Sequence, residues 1–149
     1  MSSTDVSLIL DHAPTLLIAV GGGSALGALA RYAVTTVLSR SIGALGGTWV
    51  VNVTGAAMLG VWVGWLSESV VSDLLAIGVS LGFLGSYTTV SSFALQAWPL
   101  LAVGQRRTLA VYVLGSALGC LAAFAAGWWL VTQLADGAAE AGPMLQGWS

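Results

Sequence analysis

The sequence predicts an all-α membrane protein with four transmembrane helices, the third of them broken at its centre. Three observations support this prediction. First, 57 % of the 149 residues are hydrophobic and only 7 % are charged, a composition that excludes an ordinary soluble domain. Second, four apolar runs are each long enough to cross a bilayer. Third, the middle of the third run carries hydroxyl groups, where a membrane helix is normally apolar.

The four runs form a single membrane domain over residues 1–149, and short connections between them hold nearly all of the charge. The first run opens after Pro14, a position in the first helical turn where proline is tolerated. Tryptophans near the predicted ends of the runs resemble an aromatic belt at the membrane surface. In chain order, the predicted spans are 15–38, 48–66, 74–103 and 108–134.

The third span is too long for a straight crossing. Thirty helical residues measure about 45 Å, whereas the hydrocarbon core is about 30 Å thick. Six of the seven residues from Ser86 to Ser92 carry a hydroxyl, and Gly82 and Gly85 precede them. Such hydroxyls can bond back to carbonyls one turn earlier and only bend the helix. We predict instead a break, which survives in a membrane where it is buried in protein or lines a wet cavity, and whose freed carbonyls can coordinate a cation.

Each span also contains two glycines four residues apart, a spacing that lets helix backbones approach closely in membranes. This pattern predicts tight bundling but no particular function. The pairs are Gly23/Gly27, Gly60/Gly64, Gly78/Gly82 and Gly115/Gly119.

Two polar residues lie inside the predicted spans. Placing the charge of Arg31 within the first span costs about 2.5–3.5 kcal/mol on insertion scales, which makes Arg31 a functional candidate. The alternative is that its side chain reaches the interface near Arg40. Asn52 in the second span can donate two hydrogen bonds to an anion. The alternative for Asn52 is a bond between helices.

The fourth span carries a weakly polar row at four-residue spacing, formed by Thr108, Tyr112, Ser116 and Cys120. Such a row drifts by only about 40° per step on a helix, so it can line a pathway or simply pack. Because no Asp or Glu lies inside a span, a neutral or anionic substrate is favoured over a cation. The absence of Lys and a net charge of −2 make nucleic acid an unsuitable partner. No group of acid, base and nucleophile indicates an enzyme.

Three segments resemble, in order and spacing, the signature segments of the Fluc/CrcB fluoride channels. They are GGGSALGALARY (21–32), GTWVVNVTG (47–55) and GFLGSYTTVSSF (82–93). The resemblance implies a multi-pass protein of the cell membrane that assembles as an antiparallel dimer, with dual topology, and lets fluoride leave the cell passively. It also implies a sodium ion at the dimer interface, held by the backbone carbonyls of Gly85 and Thr88. Arg31 matches the buried, structural arginine of the family. The residues implied to line the fluoride pathway are Asn52, Val90, Ser91, Phe93, Tyr112 and Ser116.

The sequence departs from the family pattern at three positions. Val90 stands where the family usually has the first of two phenylalanines, and it offers no ring edge. Gln96 replaces a frequent Glu, and Cys120 replaces a Ser of the polar row. The missing ring leaves open whether the chain conducts by itself.

The charges are distributed unequally between the two predicted sides of the membrane. Arg40, Arg106 and Arg107 share one side, whereas all six Asp and Glu lie on the other. The positive-inside rule then places the Arg-bearing connections in the cytoplasm, a bias that conflicts with insertion in both orientations. The sequence therefore allows a homodimer, a heterodimer with a paralogous subunit, or a subunit that does not conduct alone. A small four-helix drug-efflux transporter is a further alternative, but it would need an acid in the first span, and none is there.

Overall fold

The computed structural model describes residues 3–68 and 73–145, which are helical apart from short connections. Three stretches are long and apolar enough to cross a membrane, namely Ala13–Ser67, Leu74–Ala102 and Arg106–Gly137. The prediction of an all-α membrane protein is thus confirmed. The helical elements are α1 (Ser3–Glu68), α2 (Asp73–Ile77), a π-helical segment (Gly78–Leu84), α3 (Gly85–Tyr87), α4 (Val90–Ala102) and α5 (Arg106–Leu145).

Helix α1 reverses direction at Gly43, whose φ of 74° and ψ of 170° are not helical. Only glycine adopts such a positive φ readily. The side chains of Arg31 and Asn52 both bond to the backbone of residues 88 and 89, although 21 helical residues would separate them by about 32 Å along a straight helix. The two sides of Gly43 therefore fold back on each other, and we call them arm A (3–42) and arm B (44–68).

The N-terminal boundary of the first helix differs from the sequence prediction. Helix α1 begins at Ser3, so Pro14 lies inside it and not at its first turn. A proline inside a helix removes one backbone hydrogen bond. The predicted spans 15–38 and 48–66 lie within arm A and arm B, respectively.

The predicted break in the third apolar stretch is present. Elements α2, the π-helical segment and α3 follow one another without interruption up to Tyr87, and α4 starts at Val90. Between them, Thr88 (φ −75°, ψ 159°) and Thr89 (φ −149°, ψ 117°) are extended. The glycine that immediately precedes the hydroxyl cluster, Gly85, is helical. The interruption thus falls within the hydroxyl cluster itself.

The glycines of the predicted pairs do not form the break; they bring the backbones of neighbouring helices into contact. A Cβ on Gly23 would overlap the carbonyl of Gly78, and a Cβ on Gly27 would overlap that of Phe83. From the other side, a Cβ on Gly82 would lie 2.9 Å from the carbonyl oxygen of Val20. Arm A and the π-helical segment therefore pack backbone to backbone, which small residues permit.

Arm B packs in the same way against α5. A Cβ on Gly60 would overlap the carbonyl of Phe124, and one on Gly127 would overlap that of Ala57. The fourth glycine pair behaves differently, because a Cβ on Gly115 would meet nothing within 4 Å. Three of the four predicted glycine pairs are thus found at close contacts between helix backbones.

The exterior of the described chain is apolar and its centre is partly polar. Large side chains such as Leu81, Leu95 and Trp98 are exposed, as expected for a surface in lipid. Among the described residues other than glycine, seven side chains are buried, and five of these carry a hydroxyl. They are Thr48, Tyr87, Thr89, Tyr112 and Ser116. This arrangement places the candidate site around the broken helix.

The reversal at Gly43 and the connection 103–105 lie at the same end of the bundle. Asn52 bonds to Thr89 at the start of α4, and Thr48, which is closer to Gly43, bonds to Gln96 in the middle of α4. Arm B therefore approaches Gly43 in the direction in which α4 approaches the connection 103–105. Arg40, Arg106 and Arg107 flank these two connections and are exposed. They therefore lie at one end of the bundle.

The glycine contacts generate a stability prediction. Gly60→Ala should lower the free energy of unfolding by about 1–3 kcal/mol, because the added methyl group overpacks the contact with α5. Gly115→Ala is the matched control and should be neutral or stabilising by up to about 1 kcal/mol, since alanine favours the helix and space is open there. Thermal unfolding of the detergent-solubilised chain measures both. Equal effects of the two substitutions would contradict the backbone packing of arm B on α5.

Candidate functional site

The side chain of Asn52 holds the broken segment in place. Its Oδ1 accepts a hydrogen bond from the backbone N–H of Thr89 at 2.8 Å. Its Nδ2 donates to the carbonyl of the same residue at 3.0 Å. The bond to Oδ1 replaces the helical partner that the N–H of Thr89 lacks, and the bond from Nδ2 gives its carbonyl a further donor. Asn52 therefore makes the interhelical contact that the sequence allowed as one of two alternatives, and it keeps one Nδ2 hydrogen for another acceptor.

Arg31 reaches the same segment from arm A. Its Nη1 donates to the carbonyl of Thr88 at 3.4 Å. The hydroxyl and the N–H of Thr88 both donate to the carbonyl of Leu84, at 3.0 Å and 3.1 Å. Because the chain is extended after Tyr87, the carbonyls in the last turn of α3 have no following helical turn to donate to them. The break thus concentrates carbonyl oxygens near Gly85 and Thr88.

The hydroxyl cluster caps the N-terminus of α4. Thr89 Oγ1 accepts from the backbone N–H of Ser92 at 3.2 Å and donates to Ser92 Oγ at 3.1 Å. Ser91 Oγ lies 3.3 Å from Thr89 Oγ1. A capping threonine satisfies one of the free N–H groups at a helix start. The positive end of the α4 dipole therefore lies within the third apolar stretch.

One groove next to this cluster is strongly polar. It has a volume of about 360 Å³ and lies between arm A, the start of arm B and α4. Among its lining residues in the described chain, Arg31 alone is charged and none is acidic. We call this cavity the polar groove; its lining consists of Ala28, Arg31, Tyr32, Thr35, Ser39, Thr48, Ser91, Ser92 and Gln96.

Gln96 connects the polar groove with α5. Its Nε2 donates to Thr48 Oγ1 at 2.8 Å, and its Oε1 accepts from the hydroxyl of Tyr112 at 2.8 Å. The ring of Phe93 stacks on that of Tyr112, with centroids 4.9 Å apart and planes at 28°. The predicted pathway residues Phe93 and Tyr112 are therefore in direct contact, although they come from different helices.

The residues of the predicted polar row on α5 differ in their exposure. Thr108 is exposed, Tyr112 and Ser116 are buried, and Cys120 is half-buried. Ser116 is only 6 % exposed, yet its Oγ has no hydrogen-bond partner within the described part of the chain. Buried hydroxyls normally have such a partner, so Ser116 is an exception.

A second groove runs along the break on another side. It also has a volume of about 360 Å³, and Val90 on its edge is 81 % exposed. We call it the break groove; its lining consists of Asn52, Gly55, Ala56, Leu59, Ser80, Leu84, Gly85, Thr88, Thr89, Val90 and Cys120. The predicted sodium ligands and Val90 thus share one groove, while Ser91 lines the other.

Sequence reasoning did not identify two residues of the site. Thr48 bonds to Gln96, and Tyr87 bonds through its hydroxyl to Thr54 Oγ1 at 3.0 Å. A weak signal for Thr48 was present, because it precedes Asn52 by four residues and so shares its helix face. Tyr87 belongs to the hydroxyl cluster but carried no signal that set it apart.

Comparison with known proteins places these features in a family. The model of the family described as "CrcB-like protein, Camphor Resistance (CrcB)" matches residues 16–128. A protein of Gloeobacter violaceus named "Fluoride-specific ion channel FluC" is 40 % identical over 117 residues, 76 % of this chain and 92 % of that protein. A protein of the same name from Geobacter metallireducens is 38 % identical over 109 residues, 71 % of this chain and 88 % of that protein. "Fluoride-specific ion channel FluC 3" of Brucella suis is 36 % identical over 119 residues, 76 % of this chain and 88 % of that protein.

The contacts of Asn52 predict a structural effect of its removal. Asn52→Leu should lower the free energy of unfolding by about 2 kcal/mol or more, because the N–H of Thr89 loses its partner and its carbonyl loses one donor. Thr54→Val removes one hydroxyl on the same arm and should lower the free energy of unfolding by about 1 kcal/mol. Thermal unfolding in detergent compares the two variants. If Asn52→Leu proved as stable as Thr54→Val, Asn52 would not be what holds the break.

Proposed function

The chain belongs to the CrcB-like family, and from this premise we propose that it is a subunit of a fluoride-specific ion channel. It spans the membrane several times and is a channel protein rather than an enzyme. Passive efflux of fluoride through it protects the cell from fluoride toxicity. The names of its relatives support the choice of ion, and the donor-rich, acid-free interior supports an anion.

We propose four crossings of the membrane. A straight helix of 55 residues would be about 82 Å long, far more than the hydrocarbon core of about 30 Å. The reversal at Gly43 lets arm A and arm B cross separately. The broken third stretch and α5 supply the other two crossings.

The unpartnered hydroxyl of Ser116 is the observation that best supports a fluoride pathway here. Fluoride is small and strongly hydrated, so a pore must replace its water with several weak donors and still release it. Hydroxyls and the positive edge of the Phe93 ring are donors of this kind, and Asn52 holds one free Nδ2 hydrogen on the side of the break groove. We place the pathway along the polar groove, past Ser91 and Tyr112, to Ser116.

We propose that a second subunit in antiparallel orientation completes the channel. The break groove is open in the single chain, and Val90 at its edge supplies no ring to an anion. The partner is either a second copy or a paralogous chain. The clustering of Arg40, Arg106 and Arg107 at one end favours a paralogue of opposite orientation. In that case the chain conducts only together with its partner. The numbered names of the Brucella relatives are in keeping with a paralogue.

We propose that the carbonyls of Gly85 and Thr88 hold a structural sodium ion at the interface with the partner. Hard cations prefer oxygen ligands, and the break leaves carbonyls in this place. A carbonyl has two lone pairs, so the bond from Arg31 to Thr88 leaves one free. Gly85 presents no side chain toward the break groove. Bound sodium would neutralise the carbonyl dipoles of two subunits that face each other.

Fluoride efflux from proteoliposomes tests the channel. Wild-type protein should release fluoride rapidly and retain chloride, as measured with ion-selective electrodes. Ser116→Ala should slow fluoride release about tenfold, the equivalent of one hydrogen bond to a charged group, without loss of stability. Thr132→Ala on the same helix is the control, because its hydroxyl bonds only to the carbonyl of Trp129. Equal release of both ions would refute the assignment. Flux that requires a co-reconstituted paralogue would identify a partner-dependent subunit.

Substitution of Gly85 tests the partner and the sodium ion. A Cβ at Gly85 would meet only the carbonyl oxygen of Ser80, at 3.7 Å, an ordinary contact. Gly85→Val should therefore leave the helices of the single chain intact but abolish dimerisation and flux. Thr88→Ser keeps the carbonyl and should retain both. Circular dichroism, the mass of the protein in detergent and flux measure these effects. A Gly85→Val variant that dimerises normally would exclude the proposed interface.

A further inference from the structure

We propose that Tyr32 is a further fluoride-binding residue, whose hydroxyl donates a hydrogen bond to the anion in the polar groove beside Arg31. The proposal rests on the proposed fluoride pathway and deepens it by one residue. Tyr32 precedes no break and belongs to no glycine contact, yet its side chain lines the polar groove.

The hydroxyl of Tyr32 differs from those of the other two tyrosines in the chain. Tyr87 and Tyr112 are buried, and their hydroxyls bond to Thr54 and Gln96, respectively. Tyr32 is 70 % exposed, and its hydroxyl makes no hydrogen bond within the described part of the chain. This accessible side chain therefore keeps its one hydroxyl hydrogen for a ligand.

The depth of Tyr32 makes lipid an unsuitable neighbour for this hydroxyl. Tyr32 lies about 12 Å before Arg40 along arm A, and so within the proposed membrane crossing. A long side chain in a helix leans toward the N-terminus of that helix, which for Tyr32 means away from Arg40 and toward the membrane centre. A hydroxyl in an apolar environment costs free energy unless it forms a hydrogen bond. The polar groove offers Tyr32 a polar environment at this depth.

The groove offers an anion a positive charge at the same level. Arg31 lines the groove, and none of the lining residues is acidic. A guanidinium has five N–H donors, and within the described residues Arg31 uses one bond, to the carbonyl of Thr88. Thr35, by contrast, donates its hydroxyl hydrogen to the carbonyl of Arg31 at 2.7 Å. Tyr32 thus supplies a free hydroxyl hydrogen next to the free donors of Arg31.

The experiment compares wild type with Tyr32→Phe, which removes only the hydroxyl. Trp98→Phe is the matched control, because Trp98 is 68 % exposed, also carries a donor on its ring and lies outside the polar groove. Fluoride affinity is measured by calorimetry on the detergent-solubilised protein, assembled with its partner where one is needed. Efflux from proteoliposomes is followed over a range of fluoride concentrations, and the mass of each variant in detergent is recorded.

Tyr32→Phe should bind fluoride about tenfold more weakly than wild type, the equivalent of one hydrogen bond to a charged group. Its efflux should slow most at low fluoride concentration, whereas Trp98→Phe should match wild type in both measurements. The mass in detergent should stay the same in all three proteins. Wild-type affinity in Tyr32→Phe would overturn the proposal. A lower mass of Tyr32→Phe would also overturn it, because the hydroxyl would then contact the partner subunit.

A second measurement tests whether position 32 faces water or lipid. Tyr32→Cys and Val37→Cys are prepared in a Cys120→Ser background and treated with the impermeant reagent 2-sulfonatoethyl methanethiosulfonate. Val37 is exposed on the same arm, closer to Arg40 and outside the polar groove. Tyr32→Cys should react at least about tenfold faster than Val37→Cys, because the reactive species is the thiolate, which needs water. Equal rates would place Tyr32 against lipid and refute its role.

The affinity measurement separates this proposal from the proposed function. If wild type failed to conduct but bound fluoride about tenfold more tightly than Tyr32→Phe, the channel assignment would fail and the role of Tyr32 would stand. If wild type conducted fluoride and the two affinities were equal, the channel assignment would stand and the role of Tyr32 would fail.

Discussion

The bond pair between Asn52 and Thr89 is the interaction on which the rest of the site depends. Backbone groups without partners cost several kcal/mol each in a membrane, so an extended residue there needs a substitute for its helical bonds. Asn52 supplies a donor and an acceptor to the same residue. With Thr89 held in this way, α4 begins inside the apolar stretch, its capping hydroxyls cluster there, and the carbonyls of α3 become available.

The glycine contacts make this interaction geometrically possible. Arm A approaches the π-helical segment through Gly23 and Gly27, and arm B approaches the break through Gly55, where a Cβ would overlap the side chain of Thr88. Because the backbones lie so close, the short side chain of Asn52 reaches Thr89 and the long one of Arg31 reaches Thr88. A wider bundle would leave the break without partners. Close packing is therefore a condition for the polar interior rather than an independent source of stability.

The polar interior is built from groups that can donate hydrogen bonds to an anion. Hydroxyls and the amide of Gln96 line the polar groove of the proposed pathway, together with the positive charge of Arg31. Such donors can replace the water around fluoride without trapping the ion, as conduction requires. Within the described part of the chain, the hydroxyl of Ser116 has no hydrogen-bond partner and Val90 is exposed. They are the places where an ion and a second subunit would contribute.

The sequence by itself determined the fold class, the approximate position of the break and the small-residue contacts, because these depend on local composition and spacing. Apolar runs and hydroxyls inside a run are properties of neighbouring residues. The tertiary structure alone decided that Thr88 and Thr89 form the break and that Gly115 lies in open space. It alone joined Gln96 to Thr48 and Tyr112, which lie 48 and 16 residues away in the chain. Partners of this kind depend on how helices dock and rotate against each other, and no local pattern in one helix encodes the face that its neighbour presents.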